Sequence, residues 1–168
     1  MRPEEWPVYR DIRLRALGDA PDAFGSTYAT EVVRPDDAWR ERLLAAATSG
    51  GDHALFASND AGAVCGLAWC KLSTTEPGLA DLFQMWVAPE ARGRGAGAAL
   101  LREAAAFATR AGARTLRLGV TIADSPAMRL YRSFGFKPHG APEPLREGST
   151  LASQTMHLDL APESTAAR

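Results

Sequence analysis

Only two cysteines and three histidines occur among the 168 residues. Cys65 and Cys70 stand five apart on one expected strand, so their side chains leave opposite faces and cannot close a disulfide. They read as small buried residues of a reducing compartment, which points to the cytoplasm. No histidine, cysteine and carboxylate cluster has metal-ligand spacing, and no Ser-His-Asp order stands out. His53, His139 and His157 therefore read as structural. The formal net charge is only −1, which argues against nucleic acid and against a membrane surface as partners. No apolar run approaches a bilayer span, and Met1-Arg2-Pro3-Glu4-Glu5 lacks the apolar core of a signal peptide. With 46% apolar and 23% charged residues, the composition is that of an ordinary globular chain. The expected organisation is one domain over 1–160 and a small polar, frayed tail over 161–168.

What is present is an alternation of helical and strand patterns. Pro3-Glu4-Glu5 opens a helix with Val8, Ile12 and Ala16 as its apolar stripe, broken at Asp19-Ala20-Pro21-Asp22. A loop or short helix covers 23–28. A second helix starts at Pro35-Asp36-Asp37, carries Trp39, Leu43 and Ala47 on one face, and stops at Gly50-Gly51. Strands are expected over 53–58, 63–72 and 79–87. A helix over 97–111 turns Leu100, Ala104, Phe107, Ala108 and Ala111 inward and ends at Gly112. A strand over 115–120 follows. Ser125 and Pro126 then start a short helix bearing Leu130, Tyr131 and Phe134. Strands over 136–139 and 154–160 close the α/β pattern.

Between the third strand and the central helix lies Arg92-Gly93-Arg94-Gly95-Ala96-Gly97-Ala98. Closely spaced glycines let several backbone N–H groups converge, and the helix start adds unpaired donors and a positive dipole end. Such a loop binds phosphate or pyrophosphate without a lysine. The P-loop pattern is excluded because no Gly-Lys-Ser/Thr follows. Gly93, Gly95 and Ala98 match a dinucleotide fingerprint, but the turn is too long and the strand ending at Thr121 has no ribose-binding acid. Coenzyme A is the third reading.

Arg92-x-x-Gly95-x-Gly97 resembles the pyrophosphate loop of the GNAT N-acetyltransferase superfamily. Downstream, Asp124-x-x-Ala127-x-x-Leu130-Tyr131-x-x-x-Gly135-Phe136 is similar to that family's Asn-x-x-Ala-x-x-Leu-Tyr-x-x-x-Gly-Phe segment. The resemblance implies a mixed, partly antiparallel central sheet flanked by helices, with two parallel strands splayed to hold the pantetheine arm. It implies acetyl-CoA as co-substrate, held by the backbone of Met85, Trp86 and Val87 and by the loop from Arg92 to Ala98. It assigns Tyr131 to the coenzyme sulfur as proton donor. Asp124 replaces the usual asparagine, and either accepts from a pantetheine N–H or only caps the next helix. The family usually begins with a strand, whereas this chain starts on a helix.

The implied reaction is acetyl transfer to a primary amine, with a small-molecule acceptor as partner and a homodimer left open. In branches that acetylate protein N-termini, a glutamate stands where this chain has Gly119. A water near Asp81 and Gln84 is the remaining route for the amine proton. In the family the first two helices and their connection recognise the acceptor. Phe24, Tyr28, Glu31 and Trp39 occupy that region, a set of aromatic walls and one carboxylate suited to a compact cationic amine. The competing readings are a coenzyme-A-binding sensor without turnover and a dinucleotide-binding oxidoreductase domain.

Overall fold

The computed structural model describes residues 1–160; the tail expected over 161–168 lies outside the described residues. A short 3-10 turn at Pro3–Glu5 leads into α1 (Trp6–Asp19), followed by α2 (Tyr28–Val32) and α3 (Asp36–Ser49). Then come β1 (Asp52–Ser58), β2 (Val64–Leu72) and β3 (Leu79–Val87), the helix α4 (Ala96–Arg110), β4 (Thr115–Thr121) and α5 (Pro126–Ser133). Two-residue strands β5 (Lys137–Pro138) and β6 (Glu143–Pro144) precede β7 (Ala152–Asp159). Among the described residues the strands form one sheet in the order β1-β2-β3-β4-β7-β5, with β6 also on β7. All pairings are antiparallel except β3 with β4.

The sheet has a core on each face. Small residues Ala104 and Ala108 let α4 sit close to it, and Leu100, Leu101, Leu116, Leu118 and Met156 complete that side. On the other face α1 and α3 bring Tyr9, Ile12, Leu17, Trp39 and Leu43 against Leu67, Trp69 and Trp86. Cys70 lies in the first core and Cys65 in the second, as an odd spacing on a strand requires. Burial pushes the Cys70 thiol up to about 12, so it packs as an unreactive apolar group.

The α1 stripe differs from the expected one. Val8 is exposed, whereas Tyr9, Ile12, Arg13, Ala16 and Leu17 are buried. Two polar-tipped side chains sit on the inner face because both have buried partners. Likewise Ala46 replaces Ala47 in α3, and Leu101 rather than Ala111 faces inward from α4.

Candidate active site

Strands β3 and β4 pair only at Leu79↔Thr115, Ala80↔Leu116 and Asp81↔Arg117. Beyond that point they diverge, and the β3 edge toward β4 is left unpaired. The register of β3 with β2 slips between Leu67 and Trp69, so an extra residue bulges from β3. Gln84 takes the strain at φ 55, in a region L side chains rarely adopt. Its buried side chain is fixed by the Tyr9 hydroxyl, which donates to Oε1 at 2.9 Å. Ala88 N–H turns toward β2, donating to the Cys65 carbonyl at 2.8 Å. By strand alternation, Val87 and Met85 turn their N–H groups toward the gap. Trp86 offers only backbone there, because its ring is buried on the α1 side and its Nε1 donates to Asp19 at 2.8 Å.

The loop after β3 leads straight into α4. Gly95 caps the helix at φ 85, a left-handed conformation that a β-branched residue resists. Among the described residues, none of the N–H groups from Gly93 to Ala98 donates to a backbone or side-chain acceptor. That row of donors at the positive end of a 15-residue helix fits a pyrophosphate. Gly97 serves a different purpose: a Cβ there would lie 3.2 Å from Leu130 Cδ2, so the glycine lets α4 and α5 meet. Arg92 turns away from the donor row, its Nε donating to the Val87 carbonyl at 3.0 Å and its Nη2 to Asp19. The Trp86 N–H, with Arg92, holds the Asp19 carboxyl below the usual carboxylate range. Arg94 remains exposed.

The strand gap opens into a cavity of about 440 Å³ between β3, β4, α5 and the α1–α2 connection. Leu82, Gln84, Met85, Gly119 and Tyr131 line it from β3, β4 and α5, and Arg13, Phe24, Glu31, Arg34 and Arg42 from α1, α2, α3 and their connections. The loop between β6 and β7 closes the side, with Arg146 donating to the carbonyls of Pro21 and Phe24. Tyr131 is packed edge-on against Phe136 at 5.8 Å. Burial pushes its phenol up to about 12.

Several residues expected at the site lie elsewhere. Trp39 is fully buried beneath the α1–α3 contact, its ring 5.4 Å from that of Tyr9, and is a core residue. Tyr28 is exposed and outside the cavity wall. Asp124 is exposed and paired with Arg129, while Ser125 caps α5 by accepting from Met128 N–H at 3.1 Å. Asp81 faces a neighbouring hollow, both carboxylate oxygens taken by Arg117 at 2.7 and 3.2 Å. Glu31 does line the cavity, but Arg13 holds it at 2.9 and 3.4 Å. Burial pushes the Glu31 carboxyl up, yet Arg13 and the Ser26 hydroxyl outweigh this and hold it below its ordinary value. Phe24 lies under the Arg13 guanidinium at 4.6 Å. The wall therefore has three guanidinium groups against one carboxylate, and does not have the charge expected for a cationic acceptor.

The sequence reading passed over Arg13, Arg34, Arg42 and Leu145. The one available signal for Arg13 was its place three residues before Ala16, on a helix whose Val8 stripe left Tyr9 and Leu17 unexplained.

Residues 15–136 match the family model described as the Acetyltransferase (GNAT) family. The chain is 38% identical over 116 residues to streptothricin acetyltransferase of Streptomyces lavendulae, covering 69% of this chain and 54% of that protein. It thus spans about half the length of this curated relative. The solved nourseothricin acetyltransferase is 30% identical with a TM-score of 0.60, each chain being covered to 66%. A Salmonella typhimurium protein solved with its cofactor acetyl-CoA has a TM-score of 0.77 over 99% of this chain and 95% of that one. At 20% identity it shows the shared fold alone.

Proposed function

Since the chain belongs to the acetyltransferase (GNAT) family, we propose that residues 1–160 act as one acetyl-CoA-dependent N-acetyltransferase domain for the primary amine of a small molecule. The observations that carry this are the unpaired N–H row at 93–98, which follows directly on β3, and the β3–β4 gap, whose cavity Tyr131 lines. The row suits the pyrophosphate, and the gap-facing N–H groups of Met85 and Val87 suit the amide-bearing arm, as an added strand would. The coenzyme supplies a thioester acetyl group. The backbone turned inward at Gln84 orients donors toward the carbonyl oxygen of such a group. Tyr131 presents its hydroxyl to the sulfur.

Among the described residues that line the cavity or the neighbouring hollow, no unpaired carboxylate serves proton removal from the amine: Arg13 occupies Glu31 and Arg117 occupies Asp81. Water at the cavity mouth therefore carries that proton, and Asp81, paired with Arg117 in the neighbouring hollow, is no longer the base expected for it. That pairing is also what favours the second reading, a coenzyme-A-binding sensor without turnover. Calorimetry with acetyl-CoA, followed by thiol release over a panel of small amines that includes streptothricin, separates them. The transferase reading requires both binding and acceptor-dependent release. Binding with no release from any acceptor would leave the sensor.

A further inference from the structure

We propose that the acceptor is a small primary amine that also bears a carboxylate, held by the guanidinium groups that line the cavity. The inference rests on the acetyl-transfer reading and specifies its second substrate. Arg13, Arg34 and Arg42 line the cavity, and among the described residues Glu31 is the single acid lining it with them. Glu31 is consumed by Arg13, so the wall keeps two positive charges in excess. Among the described residues no carboxylate pairs with Arg34 or Arg42. Arg42 lies over the Trp69 ring at 5.2 Å, which steadies its planar fork without neutralising it. Arg13 is 3% exposed and keeps a buried Nη1 with no partner. Groups of this kind match a carboxylate by charge and by paired N–H donors. A second ammonium on the acceptor would instead meet net repulsion in a partly desolvated space.

The coenzyme's own phosphates do not account for these arginines. The unpaired N–H row lies at the head of α4, on the sheet face opposite α1 and α3, whereas Arg34 follows α2 and Arg42 lies within α3. Nor does the volume suggest an extended peptide. About 440 Å³ is near the lower end for small-ligand sites, and an acetyl-bearing arm must share it.

The test compares thiol release from acetyl-CoA with matched pairs of acceptors, each free α-amino acid against its amide, alongside diamines and streptothricin. An amide's amine loses its proton more readily than the free acid's, so the comparison is weighted against the proposal. Free acids are expected to give a kcat/KM at least about tenfold above their amides, the usual weight of a charged hydrogen-bonded contact. Arg34→Met and Arg42→Met should each raise KM for the free acid about tenfold, leaving KM for the amide and for acetyl-CoA unchanged. Arg34 is exposed, so its variant keeps the fold even where Arg42→Met does not. Amides, diamines or streptothricin used as well as or better than free acids overturn the carboxylate while acetyl transfer stands. A rise in the acetyl-CoA KM instead assigns the arginines to the coenzyme and also overturns it. Absence of release from every acceptor, in protein that binds acetyl-CoA, removes the transferase reading and this one with it.

Discussion

With the Tyr131 phenol raised to about 12 by burial, its hydroxyl stays protonated throughout the pH range in which the fold operates. A thiol ionises near ~8.5, so in the role proposed for it such a phenol would stabilise a departing thiolate by hydrogen bonding more than by full proton transfer. Tyr131→Phe should lower kcat by about ten- to a thousandfold and leave KM for acetyl-CoA nearly unchanged. Equal losses in both would mark the ring as packing. The rising, acid-side limb of kcat/KM should follow the pKa of the acceptor amine, and shift when acceptors of different basicity are compared. Glu31 has its own pH signature. Its carboxyl is held below the ordinary 4.5, so the stability it contributes is fully present above that value. It is lost as pH falls through the lower folded value. Glu31→Gln leaves the Arg13 guanidinium buried without its counter-charge, a change that costs about 3–5 kcal/mol in comparable pairs. Urea melts at neutral pH should show that deficit, and it should shrink below about pH 4 as the wild-type carboxyl also loses its charge. A constant deficit down to the acid transition would show that shape, not charge, holds the pair.

At the level of elements, strands and helices whose buried faces are uniformly apolar were legible from sequence: β3 was placed at its observed limits and α4 within one residue of them. The inner face of α1 was not. Tyr9 and Arg13 interrupt the apolar period, and what keeps them inside is Gln84 and Glu31, reached across 75 and 18 residues. Periodicity is silent about partners so distant in the chain. The bulge at Gln84 was equally hidden, because a one-residue slip leaves an apolar strand looking regular in composition. The glycines of the loop were legible as a group, but their separate duties appear only in space. Gly95→Val should abolish acetyl-CoA binding with the helix otherwise intact, since its φ of 85 suits glycine. Gly97→Ala should act through packing instead, its Cβ meeting Leu130 Cδ2 at 3.2 Å, so that it fails to give the roughly 1 kcal/mol that alanine gains over glycine in a helix. The double variant with Leu130→Ala should cost less than the sum of the two single changes. Simple additivity would place the strain elsewhere in the loop.

Across the whole molecule, two cores on opposite faces hold the sheet together while its middle is allowed to open. Pairing between β3 and β4 ends at Asp81 and Arg117, and β7 ties β4 into the sheet over seven residue pairs from Thr115 to Thr121. The gap is thus a stable part of the architecture, with the β3 edge beyond Asp81 left for a ligand to pair. The loop at 92–98 and the α5 motif were legible because each is a contiguous run in the sequence. The acceptor wall was not, because it gathers side chains from α1, α2, α3 and the β6–β7 loop that no local spacing relates. That difference leads to a spatially resolved prediction. Acetyl-CoA at about a hundredfold excess over its Kd should stabilise the fold by about 2.7 kcal/mol by mass action. Hydrogen exchange should slow at the N–H groups of residues 93–98, and at Met85 and Val87 on the gap edge, beyond what global stabilisation gives. Amides of α3 around Trp39 and Leu43, which face only the second core, should slow by no more than the global amount. Protection concentrated on α3 instead, with the loop at 93–98 exchanging as before, would move the coenzyme out of the gap and separate Tyr131 from its proposed role.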